Sequence, residues 1–329
     1  MVTLERVDPD DVAAIASYVD AHEAARVVDS PWVAPKTTYR LEMDVRYGWE
    51  GHPAHYYLVR AGGGVLGYGW LETFVWDNPD LAWIHVAIRP DLRRRGHGTA
   101  AAELLLDECC GLGRSLIGLD SWESDGAHAF ALALGFELKS RSGARRQSLR
   151  ELPDGLIDAV YAEAAEHAGD YELFRATGPI PEELIGEAAL LAASINDAPI
   201  DDLEIEDEVY VPERIRAFEQ AHAASRQRIL RVVARHRGSE AMAGHTVVIV
   251  DDERPTYAAQ EDTAVAREHR GHRLGLLLKA DMCRWLRESE PAVEFVDTWN
   301  TASNDHMVGV NERLGYEVVG HGQEYQRRI

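Results

Sequence analysis

The chain has 329 residues, enough for one large domain or two of ordinary size, and its 46% hydrophobic and 27% charged residues form a globular balance with apolar material for two cores. A formal net charge of -22 argues against nucleic acid, whose backbone demands a basic surface, and suits a small cationic substrate, which carboxylate-rich clefts concentrate. No apolar run reaches the roughly 20 residues that span a bilayer, and the opening MVTLERVDPDD lacks the apolar core of a signal peptide, so a cytoplasmic protein without membrane contact is expected. Cys109, Cys110 and Cys283 all fall in apolar helical patterns, which points to small buried side chains rather than to disulfides or a metal site.

In chain order, residues 10–24 read as a helix with Ala14, Ile15 and Val19 on one side. Residues 55–59 and 65–74 are strands around the Gly62-Gly63-Gly64 turn, and Asp77-Asn78-Pro79-Asp80 is the next turn. Leu81–Ile88 is a strand, ended by Pro90, which has no amide for a ladder hydrogen bond. Arg93-Arg94-Arg95-Gly96-His97-Gly98 opens a helix that runs to residue 112; a strand at 116–119, a short helix at 127–134 and a strand from Phe136 follow.

The second half repeats this order. Residues 212–226 are helical, with Pro212 where a missing amide is tolerated. Residues 229–234 and 246–250 are strands, and Tyr257–Val265 is a strand leading into Arg270-Gly271-His272-Arg273-Leu274-Gly275. A helix over LLLKADMCRWL, a strand at 293–298, a helix at 304–314 and a strand at 316–319 complete it. Ile88 precedes Arg93 by five positions and Val265 precedes Arg270 by five; Leu134-Gly135-Phe136-Glu137 matches Leu314-Gly315-Tyr316-Glu317. Such agreement at equivalent places marks an internal duplication. The expected division is residues 1–150, a connecting helix in 151–170, and residues 171–329. The acidic segment from Asn196 to Tyr210 is either a solvated loop or an acidic wall near an acceptor site.

A strand that gives way to a glycine-containing turn and a helix makes an anion site. Amides of the first helical turn lack intrahelical partners, and the positive end of the helix dipole faces the same space. In the first half Gly96 and Gly98 allow close approach, Arg93, Arg94 and Arg95 bring charge, and His97 and Thr99 flank the glycines; Arg93 is the favoured inward-facing member. The bland alternative is a tight turn with solvated arginines. No GxGxxG follows an opening strand and no Walker lysine follows either turn, so the dinucleotide and P-loop readings fail.

Placed late in each half, after an antiparallel meander, these turns resemble the Arg/Gln-x-x-Gly-x-Gly/Ala pyrophosphate turn of the GNAT superfamily of acyl-CoA-dependent N-acyltransferases. The first half matches at Arg93, Gly96 and Gly98; the second matches at Arg270 and Gly275, with Arg273 in the place of the middle glycine. The resemblance is best over 55–150 and 228–329. It implies an α+β fold, a mixed α/β sheet in each of two tandem domains, splayed between its fourth and fifth strands. Acetyl-CoA would enter that opening as acyl donor, its arm lying along the fourth strand near Val86 and Ile88 or near Val265. The tandem layout is similar to mycothiol synthase and related actinobacterial two-domain enzymes. The implied activity is N-acetyl transfer to a primary amine of a small molecule, by a monomer or homodimer.

Amide formation needs a neutral amine, an aligned thioester and a proton for the leaving thiolate. In the family resembled, a tyrosine before the Leu-Gly-aromatic sequence often gives that proton; the positions here hold Ala131 and Asn311, neither a ready source. The family's asparagine contact to CoA maps to Asn304 and, in the first half, to Ser124. For the base, alternation along Tyr257-Ala258-Ala259-Gln260-Glu261-Asp262-Thr263 sets Glu261 opposite Gln260 and Asp262. Glu261 is the first choice and Asp262 the second, since a bulge would reverse the facing; the first half has Ile84 and His85 there. Catalysis is therefore expected in the second half. The missing tyrosines motivate the alternative, an acyl-CoA-binding protein without turnover.

Overall fold

The computed structural model describes residues 1–329, which form two compact units: Met1–Ser142 with Ile200–Asp207 and Gly320–Ile329, and Gly143–Pro199 with Glu208–Val319. The chain runs through β1 (Thr3–Arg6), α1 (Val12–Asp29), α2 (Thr38–Tyr47), β2 (His55–Ala61), β3 (Gly64–Thr73), β4 (Leu81–Ile88), α3 (His97–Gly111), β5 (Leu116–Trp122), α4 (Asp125–Ala133) and β6 (Glu137–Ser148). After α5 (Leu156–Ala165) come β7 (Tyr171–Thr177), α6 (Ile185–Ala192), α7 (Pro212–Ala224), β8 (Gln227–His236), β9 (Met242–Asp251), β10 (Tyr257–Val265), α8 (Leu274–Ser289), β11 (Phe295–Thr301), α9 (Asp305–Arg313) and β12 (Tyr316–Arg328). From β1 to α4 and from β7 to α9 the order is the same: strand, two helices, three strands, helix, strand, helix. The duplication thus includes an opening strand and two helices in each copy.

Local chemistry explains the starts. The Asp11 carboxylate accepts from the amides of Ala13 (3.0 Å) and Ala14 (2.9 Å) and begins α1, which buries Ala14, Ile15, Tyr18, Ala21 and Ala25 and runs past the expected end at residue 24. Thr37 caps α2 through Arg40 N–H at 3.0 Å. β1 and α2 escaped the sequence reading because β1 is a four-residue, largely exposed strand and α2 mixes charges with only Leu41 and Met43 as buried apolar residues.

In the first unit the strands lie in the order β1-β2-β3-β4-β5, antiparallel except for β4 with β5. In the second the order is β7-β8-β9-β10-β11, again antiparallel except for the last pair. Each sheet is completed from elsewhere in the chain. Residues 322–328 of β12 pair antiparallel with β5, from Gly322 opposite Trp122 to Arg328 opposite Leu116. Residues 143–148 of β6 stand next to β11, where Arg146 makes two bonds of 2.7 Å to the Asp297 carboxylate and Leu149 N–H reaches Glu294 O at 2.8 Å.

The division therefore differs from the expected 1–150 and 171–329. β6 and β12 are 12 and 13 residues long, about twice a usual strand, and the two ends of each serve different units. α5, expected as a connector, is a core element: Ile157, Val160 and Ala164 are buried in the second unit with Leu277 and Ala280 of α8. The acidic segment is also divided. Residues 200–207 belong to the first unit, where Glu204 pairs with Arg328 at 2.5 Å; Glu208 belongs to the second, where it pairs with Arg214 at 2.7 Å. Cys109 and Cys283 are buried as expected, whereas Cys110 is exposed. No helix is long and apolar enough to cross a membrane.

Candidate active site

β10 is parallel to β11 only at Tyr257–Phe295, Ala258–Val296 and Ala259–Asp297, after which the two strands part. At the same place its ladder with β9 slips: Gln260 faces Val248 and Thr263 faces Thr246, so Glu261 and Asp262 sit in a bulge with one extra residue. Side chains satisfy the backbone and hydroxyls freed there. Gln260 Nε2 donates to Thr246 Oγ1 (3.0 Å), Val247 O (2.8 Å) and Glu261 O (3.0 Å), Thr246 and Thr263 share a hydroxyl bond of 2.7 Å, and Thr298 Oγ1 donates to Gln260 O at 3.3 Å. Gln260 and Thr263 thus both reach Thr246, a pairing that unbroken alternation forbids. The expected opposition of Glu261 and Asp262 is corrected accordingly: both line one cavity.

That cavity, of about 1100 Å³, opens where β10 and β11 diverge. The bulged strand forms one wall; Leu276 of α8 and Met307 and Val310 of α9 form apolar flanks, Lys279 of α8 also lines the cavity, and Asn300 lies on the side of β11. Glu261 makes no ion pair, and burial, followed by the neighbouring Asp262 charge, pushes its carboxyl up to about 8. The Tyr210 phenol is raised strongly by burial and then by Asp262, which places a third polar group beside the bulge.

The turn before α8 stands at the same cavity through Arg270, Gly271, Arg273, Leu274 and Gly275, with Val265 before them. The first helical bond of α8 runs from Leu277 N–H to Arg273 O at 3.0 Å, so the amides of Leu274, Gly275 and Leu276 lie ahead of the helical ladder. Arg273 takes the left-handed φ of 55° where the first unit has Gly96 at 80°, and its guanidinium pairs with Glu163, which also holds Arg313. The larger residue is thus accommodated by left-handed backbone and by a side chain anchored to α5. Arg270 Nε donates to Val265 O (3.1 Å), as Arg93 Nε does to Ile88 O (2.8 Å) five residues back in the first unit.

Each of these arginines already has a carboxylate. Arg93 grips Asp29 at 2.8 and 2.5 Å, while Arg270 reaches Asp197 at 2.5 Å beside Arg267. Bonds from Arg267 first, and then Arg270, hold the Asp197 carboxyl below its ordinary range. A bound diphosphate would compete with Asp197 for Arg270. Asp197→Asn is accordingly expected to tighten CoA binding by roughly twofold to fivefold, the scale of an exposed ion pair; calorimetry at low salt measures it, and weaker binding would mean that Asp197 orders the turn rather than blocks it.

The remaining candidates divide. Asn304 lines the cavity and caps α9, its Oδ1 accepting from Met307 N–H at 3.2 Å. His272 lies outside it, its ring 5.4 Å from that of Tyr171, whose hydroxyl meets His269 Nδ1 at 3.1 Å; the turn points this imidazole at β7 instead of a phosphate. Asn311 is fully buried and donates to Asn300 Oδ1 at 2.6 Å. In the first unit Val86 and Ile88 pack with Ala101 in an apolar cluster. Gly96 precedes α3, whose first bond is Ala100 N–H to Gly96 O, so the amides of His97, Gly98 and Thr99 precede its ladder. Arg94 takes a left-handed φ of 63° and Arg95 reaches Asp91 O at 3.1 Å. β4 keeps an unbroken register with β3, so Ile84 stays in the core while His85 stacks between Tyr68 and Trp70 at 5.6 and 5.7 Å. Two groups were missed from sequence. Burial, then Glu50 and Asp120, raises Glu72 to about 7 in the first unit, and burial lowers Lys279 to about 7 in the second.

Comparison with known proteins agrees with this geometry. The model of the Acetyltransferase (GNAT) family matches residues 21–136 and 195–316. A tandem GNAT protein from the clavulanic acid biosynthesis pathway is 23% identical, with a TM-score of 0.82 over 100% of this chain and 98% of its own. A GCN5-related N-acetyltransferase from Sphaerobacter thermophilus is 16% identical, with a TM-score of 0.68 over 99% of this chain and 95% of its own. A fungal GCN5-related glucosamine N-acetyltransferase region gives 15%, 0.66 and 99%, and the match takes in 38% of that multidomain chain. Among curated proteins no relative matches. With both copies matched and more than half of its residues covered, the chain belongs to the GNAT acetyltransferase family, as a tandem of two such domains.

Proposed function

We propose that the second unit carries out catalysis: acetyl-CoA lies in the cleft between β10 and β11, and its acyl group passes by direct attack to a primary amine of a small, cationic acceptor. The observation that carries this reading is one cavity lined by the phosphate turn, the bulged strand and the unpaired carboxyl of Glu261. Glu261 takes a proton from the incoming ammonium, directly or through water, and a carboxyl with its raised affinity for protons suits that task close to neutral pH. Asp262 is the second candidate; it and Asp305 are the carboxylates that would meet a cationic acceptor, while the arginines of the turn serve the diphosphate. Arg270 and the amides of Leu274, Gly275 and Leu276 hold the diphosphate, and Asn304 contributes a side-chain amide to CoA. The likeness to mycothiol synthase concerns the tandem layout, and the reading does not extend to that enzyme's substrate.

A second reading, acyl-CoA binding without turnover, draws on Asn311, which has no acidic proton to give. Thiol release from acetyl-CoA across a broad amine panel separates the two. We expect turnover with at least one amine, its loss in Arg270→Glu and its retention in a folded Gly96→Glu variant. Full activity in Glu261→Gln with none in Gly96→Glu would move catalysis to the first unit, and binding without thiol release on any amine would favour the second reading.

A further inference from the structure

Lys279 has no part in the chemistry above, yet it lines the same cavity as Glu261 and is only 3% exposed. Its ammonium lies 4.9 Å from the centre of the Tyr316 ring and makes no ion pair. The other acids and bases of its own helix are engaged elsewhere: Asp281 and Glu288 with Arg175 at 2.8 and 2.7 Å, Arg284 with Asp158 at 3.1 Å, and Arg287 with Leu149 O at 3.0 Å. Charged or titratable groups that line the cavity from elsewhere are Glu261 and Asp262 on β10, Asp305, His306 and Arg313 on α9, His269, Arg270 and Arg273 in the turn, and Asp197 after α6, and none is its partner. Burial accounts for its low proton affinity, opposed only by Cys283 one helical turn on.

A buried cation without a counter-ion is costly, and in a ligand cleft the missing charge arrives with the ligand or forms during the reaction. Acyl-CoA brings negative charge with its diphosphate and the 3′-phosphate of its nucleotide, and at its sulfur once the thioester breaks. The turn serves the diphosphate. Lys279 stands four residues beyond Gly275, about 6 Å farther along the helix axis, in a cavity that the apolar Leu276 and Val310 also line. Asn311, on the facing helix, is committed to Asn300.

We propose that Lys279 receives the negative charge of the departing CoA sulfur and protonates it. The inference rests on the acyl-CoA reading of this cleft. The amine nitrogen bonds to the acyl carbon, and the carbon–sulfur bond breaks with its electron pair on sulfur. The Lys279 ammonium gives a proton to that sulfur, and the second proton shed by nitrogen returns the lysine to its charged form. Each turnover therefore yields the amide, the CoA thiol and the one proton that Glu261 took from the substrate ammonium.

The test needs no acceptor. Free CoA is bound to the full-length protein, and its thiolate is followed by ultraviolet absorbance across pH, with the desulfo-CoA complex as blank and calorimetry for affinity. We expect the bound thiol to ionise about tenfold more readily than in free CoA, as a thiol does beside an ammonium. Lys279→Met should abolish that shift with CoA affinity kept, while Lys279→Arg, which keeps the charge, should retain most of it. In Arg270→Glu the shift should vanish together with one equivalent of bound CoA. An unshifted thiol in bound wild type, an unchanged shift in Lys279→Met, or a shift that survives Arg270→Glu overturns the proposal. So does lost affinity in Lys279→Met without a change in ionisation, which would make the lysine a binding contact. Failure of the wild type to bind CoA is seen separately in the calorimeter and overturns the parent reading with it.

Discussion

Replacing Glu261 by glutamine is expected to lower turnover by about 10²–10⁴-fold, the usual worth of a positioned proton acceptor, with little change in acetyl-CoA affinity. The wild-type rate should climb as pH passes through about 8, where the carboxyl ionises, and the variant should lack that limb. Stability should move the other way. The folded-state pKa lies above the ordinary carboxylate value of 4.5, so the folded protein retains a proton that the unfolded chain has lost. The associated stability is fully present below the ordinary value and drains away as pH rises to about 8. Above that the wild type bears a buried charge next to Asp262, and Glu261→Gln should be more stable by ~1–3 kcal/mol. Thermal melts at about pH 5 and about pH 9 read the difference; a variant no more stable in alkali would mean that the carboxylate is well solvated, and its role as a tuned base would go with it.

The largest loss of stability is expected from Glu219→Ala. Glu219 and Arg231 are each 5% exposed and lie 3.2 Å apart; Glu219 also accepts from Arg216 at 2.5 Å and from Ile180 N–H at 2.8 Å, while Arg231 donates to Gly178 O at 2.7 Å. These bonds secure the turn between β7 and α6. Alanine would strand the Arg231 charge in the interior, at a cost of about 3–5 kcal/mol. The double replacement Glu219→Leu with Arg231→Met removes both charges and should recover most of it. As a contrast Glu288→Ala, at an exposed pair with Arg175, should cost about 0–1 kcal/mol. Urea unfolding of the three variants is the measurement; equal losses in the single and double interior variants would mean that the pair contributes packing rather than charge balance.

The repeat was legible because its marks are local: a five-residue interval from strand to arginine, and Leu-Gly-aromatic-Glu after a helix. The glycine turns and the strands stand where they were expected for the same reason, since glycine and proline punctuate the chain wherever they occur. What stayed hidden depends on partners distant in sequence. Alternation separates Glu261 from Asp262, and only the slip of β10 against β9 brings both into one cavity. His272 sits among turn residues in sequence, but Tyr171 of β7 draws its ring away. Lys279 looks like an ordinary polar position in LLLKADMCRWL; only the fold buries it and sets its ammonium over the Tyr316 ring of β12. The boundary at 150 failed because no pattern inside β6 tells which sheet its far end joins.

That crossing of strands bears on how the protein comes into being. Translation delivers residues 1–142 well before residues 320–329, so the first unit is obliged to wait with an open edge on β5 until that later strand has emerged. Such an edge is a template for pairing with other chains. Nascent molecules are therefore most vulnerable before residues 320–329 have emerged, and a break near residue 150 would part each unit from a strand that belongs to it, rather than release a pair of independent domains.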